Sequence, residues 1–149
     1  VIEIIAALTR EYVIGRGNAL PWHIPDDFNH FRRLTLGKTV LMGSRTYDSI
    51  GRPLPQRTNL VLSDVPREIP GVQVYPNLEE ALREHPNVFV LGGASVYRQA
   101  VPIADRMHLS WIKYDYPGDV YFPRFSDEDW RILEREEHLE FEYCLYARR

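Results

Sequence analysis

Two neighbouring carboxylates, Asp26 and Asp27, directly follow Pro25. Proline suits the first position of a helix, where its missing N–H has no helical partner to lose. From that start, Ile24, Asp27, Phe28, Phe31 and Leu34 recur at helical spacing on one face, with Asp26, Asn29, His30 and Arg33 on the other. Asp27 is then the only charged member of the apolar stripe. Both aspartates complement the positive end of the helix, an effect of ~0.3–1 kcal/mol each. That accounts for Asp26. A carboxylate withdrawn from water costs several kcal/mol unless it is paired, so the helix-end effect accounts for Asp27 poorly and a functional reading stands open beside it. Such a group suits general acid chemistry.

Two further segments offer a place for an anion. Met42-Gly43-Ser44-Arg45-Thr46 and Leu91-Gly92-Gly93-Ala94-Ser95 each end an apolar run and open an amphipathic one. Backbone N–H groups at such junctions face outward, and glycine lets a ligand come close. Glycine is also ordinary at a strand-to-helix turn, and neither segment is a GxGxxG or GxxxxGK[ST] motif. Paired, they would suit the pyrophosphate of a dinucleotide.

The elements that must position these groups follow from the hydrophobic pattern. Residues 2–8, 40–42, 59–62, 72–75, 88–91 and 107–112 are expected as strands, several apolar on both faces as in a parallel sheet covered by helices. Helices are expected over 25–34, 45–50, 78–84 and 95–100. The alternation predicts an α/β fold of one domain, residues 1–149, with a mostly parallel central sheet and right-handed crossovers. At the end, Phe141, Tyr143, Leu145 and Ala147 alternate with Glu142, Cys144 and Tyr146, predicting an antiparallel hairpin with 130–136. About 14 residues separate the first strand from the first helix, a length more often functional than not.

Composition excludes several classes. The net charge of −3, from 18 basic and 21 acidic residues, gives no electrostatic case for nucleic acid or an acidic membrane. No apolar run approaches the ~18 residues of a membrane span, and residues 1–8 read as a strand rather than a signal peptide. Cys144 is the single cysteine, which fits a reducing cytoplasm. His23, His30, His85, His108 and His138 lack metal-ligand spacing, so no metal is expected.

At Leu20-Pro21-Trp22 and Ile24-Pro25-Asp26-Asp27-Phe28-Asn29-His30-Phe31 the chain resembles dihydrofolate reductases. The resemblance continues through Val40-Leu41-Met42-Gly43, Ser49-Ile50-Gly51-Arg52-Pro53-Leu54-Pro55 and Asn59-Leu60-Val61-Leu62-Ser63. It extends to Val90-Leu91-Gly92-Gly93-Ala94-Ser95-Val96-Tyr97 and Gly118-Asp119-Val120-Tyr121-Phe122-Pro123. The family resemblance implies a sheet of about eight strands with four helices, NADPH as cofactor, dihydrofolate as substrate, antifolate binding and a monomer. It implies that Asp27 binds the pterin and promotes its protonation, with Ser110 hydrogen-bonded to that carboxylate and Trp22 holding a water. Ile5, Phe28, Phe31, Ile50, Leu54 and Leu91 would wall the substrate. Arg57 would grip the carboxylate of the glutamate tail, a task suited to a guanidinium, with Arg52 an auxiliary at the rim.

On the cofactor side the resemblance implies Ala7, Ile14 and Leu20 at the nicotinamide, with residues 10–22 as a loop closing over it. Gly43, Arg45, Thr46, Leu91, Gly92, Gly93, Ala94, Ser95, Val96 and Tyr97 would cradle the phosphates and ribose. Ser44, Leu62, Ser63 and Asp64 would surround the adenosine 2′ position. Here the chain departs from the family: Ser44 stands where a basic residue is usual, and Asp64 is an acid where a polar or basic one is found. Ser95 likewise replaces an arginine of some relatives. An acid near that pocket favours a ribose hydroxyl over a phosphate, so weaker discrimination against NADH is expected. Two rivals remain open: a reductase of the same fold acting on another heterocycle, such as the reductase half of a riboflavin-pathway enzyme, and a non-catalytic dinucleotide or folate binder. Asp27, Phe31 and Arg57 argue against the first. Turnover of dihydrofolate with NADPH separates both from the main reading.

Overall fold

A computed structural model describes residues 1–15 and 23–149; Leu20, Trp22 and most of the expected closing loop lie outside them. The main sheet has eight strands in the order β5-β4-β3-β6-β1-β7-β10-β9. These are β1 (Ile2–Thr9), β3 (Thr39–Gly43), β4 (Thr58–Leu62), β5 (Val72–Tyr75), β6 (Val88–Val90), β7 (Arg106–Ile112), β9 (Trp130–Glu137) and β10 (Phe141–Arg148). Pairing is parallel from β5 through β7; β10 runs antiparallel to β7, and β9 antiparallel to β10. The mostly parallel sheet with a closing antiparallel hairpin is the architecture that the hydrophobic pattern predicts.

Four helices cover the two faces: α1 (Pro25–Thr35), α2 (Ser44–Ile50), α3 (Leu78–Glu84) and α4 (Ala94–Ala100). Side chains alternate along β1 to serve both layers. Ile4, Ala6 and Leu8 join Leu78, Ala81, Val96, Tyr97 and Ala100 in one large core beneath α3 and α4. On the opposite face the core is divided. One cluster, with Ile24, Ile112, Phe141, Tyr143 and Leu145, receives Ala7 and Leu34 of α1. The other, with Val40, Met42, Tyr47, Val61 and Phe89, receives Ile5, Leu54 and Leu91.

A second sheet of two short strands, β2 (Val13–Gly15) and β8 (Val120–Tyr121), is an addition to the expected elements. It lies partly in the stretch read as a loop. Two or three residues are too short to show a period, so only contact identifies them. Gly118 allows their approach: a Cβ there would stand 2.4 Å from the Gly15 carbonyl oxygen.

Helix α1 carries a further difference. His30, assigned to the solvent face by helical spacing, is half-buried, with its ring centroid 4.2 Å from that of Tyr143. Phe28, assigned to the apolar stripe, is 44% exposed. The contact surface is therefore rotated toward the C-terminal hairpin, which no local pattern in α1 reveals.

Candidate active site

The chain leaves β3 toward β4 and leaves β6 toward β7, in opposite directions from adjacent strands. This divergence is a topological switch point, and in open parallel sheets ligands bind beyond the carboxyl ends of the strands at such a point. Both glycine-bearing turns stand there. The Gly43 amide donates to the Gly92 carbonyl at 2.9 Å, holding the turns side by side. A Cβ on Gly92 would meet the Tyr97 ring at 3.3 Å, and the backbone there has φ +123°, open to glycine but not to L side chains. A Cβ on Gly93 would lie 3.3 Å from Thr46 Oγ1. Bare backbone is thus what the fold presents.

Around this cradle the expected residues take distinct stations. Val96 is buried against Gly43, while Ala94 is half-buried and Ser95 exposed at the start of α4. Tyr97 is buried, its hydroxyl 2.7 Å from the Ile5 carbonyl oxygen and 2.9 Å from that of Leu91. It braces β1 against β6 from below rather than offering its hydroxyl outward. Ser44 donates to the Leu62 carbonyl at 3.2 Å and Ser63 to the Val65 carbonyl at 2.8 Å. Arg45 and Asp64 are exposed.

Asp27 comes from the first turn of α1, and β7 supplies Ser110 opposite. Desolvation raises the Asp27 carboxyl above its ordinary range, and a hydrogen bond from the Ser110 hydroxyl partly offsets that, as does the charge of His138. Ser110 is itself buried, paired across β1 with Ala7 and across β10 with Tyr143. Ala7 and Ile14 are half-buried.

Phe31, Ile5, Leu54 and Leu91 are likewise half-buried, whereas Ile50 is 40% exposed and Arg52 is exposed. Arg57 is held in place: its Nε donates to the Pro55 carbonyl at 2.9 Å, one terminal nitrogen donates to Thr35 Oγ1 at 3.0 Å, and its guanidinium lies 5.9 Å from the Phe31 ring centroid.

Two supports escaped the sequence reading. Buried Asn59 accepts from the Leu54 amide at 2.9 Å and donates to the Leu54 and Arg57 carbonyls at 2.9 and 3.0 Å. It ties the loop bearing both residues to β4. A lone amide in an apolar strand was its available signal. The other is a cluster of imidazoles beneath α1, assembled from residues far apart in the chain.

A dihydrofolate reductase family model matches residues 1–147. The chain belongs to the dihydrofolate reductase family. Among its relatives, the type 3 dihydrofolate reductase of Salmonella typhimurium is 44% identical over 141 residues, covering 92% of this chain and 87% of that protein. The dihydrofolate reductase of Bacillus subtilis is 34% identical over 159 residues, covering 99% and 95%. A solved dihydrofolate reductase of Enterococcus faecalis, complexed with NADP(H) and RAB-propyl, superposes with a TM-score of 0.90 at 31% identity, covering 99% of this chain and 95% of that one.

Proposed function

We propose that this protein reduces 7,8-dihydrofolate to tetrahydrofolate with NADPH, supplying tetrahydrofolate for one-carbon metabolism. The observation that carries the reading is the station of Asp27: a partly desolvated carboxylate at the start of α1, hydrogen-bonded to Ser110 of β7. A dinucleotide suits the glycine turns, because Gly43 and Gly93, each directly before a helix, stand close together without side chains. When bound, the reduced nicotinamide supplies the hydride.

The chain's own residues do the rest. Gly43, Gly92, Gly93, Thr46 and Arg45 hold the phosphates, and Ala7 and Ile14 border the nicotinamide. Asp27 binds the amino group and ring N–H of the pterin. Its raised proton affinity keeps a proton at hand for the ring nitrogen beside the carbon that accepts hydride, and protonation makes that carbon more electrophilic. Ser110 fixes the carboxyl's orientation. Phe28, Phe31, Ile5, Ile50, Leu54 and Leu91 exclude water around the ring, and Arg57 grips the glutamate tail. Trp22 and Leu20 complete the site in this reading as water holder and cover.

Compounds that imitate a protonated pterin should occupy the same carboxylate, which makes antifolates expected ligands. A monomer is the active form in this reading. The single thiol, buried and raised to about 11, supports a cytoplasmic enzyme without disulfides.

The test is direct: dihydrofolate and NADPH are mixed with the protein and the near-ultraviolet absorbance of NADPH is followed. Loss of absorbance with one tetrahydrofolate formed per NADPH is the expected result. Saturable binding without turnover would overturn the reading.

A further inference from the structure

Asn59 lies in β4 beside Leu60, Val61 and Leu62, and it is 3% exposed. A buried amide must find hydrogen bonds, and this one sends all of them to a single loop. Its Oδ1 accepts from the Leu54 amide at 2.9 Å, while Nδ2 donates to the Leu54 carbonyl at 2.9 Å and to the Arg57 carbonyl at 3.0 Å. Both Nδ2 donors are thereby spent. The pair of bonds to Leu54 does for an irregular segment what a neighbouring strand does within a sheet.

The end of α1 holds the same loop from the other side. Thr35 is fully buried; its hydroxyl donates to the Phe31 carbonyl at 2.9 Å and accepts from Arg57 Nη1 at 3.0 Å. The Gly37 amide donates to the Gln56 carbonyl at 2.8 Å. Backbone and guanidinium of Arg57 are therefore both fixed, and its Nη2 has no hydrogen-bond partner among the described residues.

We propose that Asn59 and Thr35 are positioning residues for Arg57. They set the span between the apolar wall at Leu54 and the guanidinium, and so select ligands whose carboxylate stands at a fixed distance from an apolar ring. This rests on the function proposed above, in which Leu54 borders the ring and Arg57 grips the glutamate tail. An amide serving β4 alone would have no reason to join the two residues that meet such a ligand.

The test compares affinities for dihydrofolate and for 7,8-dihydropteroamide, in which a neutral amide replaces the glutamate, by fluorescence titration of the full protein. In Asn59→Leu and in Thr35→Val the preference for dihydrofolate should fall about tenfold, a coupling usual within one hydrogen-bond network. In an Arg57→Ala background neither substitution should lower it further, because the group they aim is gone. Equal weakening of both ligands, a preference unmoved in the folded variants, or a loss that persists without Arg57 overturns the proposal. Thr35→Val decides if Asn59→Leu fails to fold. The two readings fail apart. A preference that survives Arg57→Ala refutes the role of Arg57 and this inference with it. A preference that Arg57→Ala abolishes while Asn59→Leu and Thr35→Val leave it intact refutes this inference alone.

Discussion

The Gly43 amide hydrogen-bonds the Gly92 carbonyl at 2.9 Å across adjacent strands, bringing together two turns that are 49 residues apart in sequence. Neither turn alone marks a dinucleotide site. Side by side, at the point where the chain diverges from β3 and β6, they form one cradle of bare backbone.

That cradle predicts the behaviour of Gly92→Ala. A non-glycine residue held in such backbone costs ~1–3 kcal/mol, and a Cβ would also press the Tyr97 ring. NADPH affinity should fall about tenfold or more, since ~1.4 kcal/mol is tenfold in binding. Dihydrofolate affinity should change far less. Fluorescence titration with each ligand measures both, and equal losses would place the effect in general unfolding instead.

Cofactor selectivity is expected to follow from the residues proposed to surround the adenosine. Ser44 and Ser63 spend their hydroxyl protons on backbone carbonyls, and Asp64 adds a negative charge. Of the described residues proposed for that pocket, Arg45 and Thr46 remain for a 2′-phosphate. NADPH should be preferred over NADH in kcat/KM by less than about a thousandfold, and Ser44→Arg should widen the gap. A wild-type preference beyond that bound would contradict the assignment of these positions.

Arg57, proposed to grip the glutamate tail, is held by Thr35 and the Pro55 carbonyl. Hydrogen bonds to charged groups contribute ~1.5–3 kcal/mol, so Arg57→Ala should raise the KM for dihydrofolate about tenfold to a hundredfold. A dihydropterin lacking the glutamate tail should show no such penalty. Steady-state kinetics on both substrates decide it.

Much of this site was legible in the residues themselves, and the rest was not for physical reasons. Asp27 announced itself because a carboxylate in an apolar stripe is costly, and the glycine turns because they join unlike periodicities. His30 could not be placed: its partners Tyr143 and His138 lie more than 100 residues away. Spacing along one helix cannot know which neighbour will pack against it. Strands β2 and β8 are likewise defined by their pairing and by the bare Gly118, not by any run of residues.

Stability should respond to pH through Asp27. Its proton affinity is raised in the folded chain, so between the unfolded and folded values the native state holds more protons than the unfolded one. Stability then falls as pH rises through that window, and above it the ionised Asp27 is a burden on the fold. Asp27→Asn should therefore raise Tm at neutral pH, and the advantage should shrink toward about pH 4, the ordinary carboxylate range. Calorimetry at several pH values tests the sign.

The account turns on the pterin protonation that Asp27 is proposed to promote. Its most direct test is the rate of dihydrofolate reduction by the wild type and by Asp27→Asn, measured across pH with NADPH saturating. The variant should be severely slowed at neutral pH and should recover part of the loss in acid, where dihydrofolate arrives already protonated. A variant that matches the wild type at every pH would remove Asp27 from the chemistry and contradict the account.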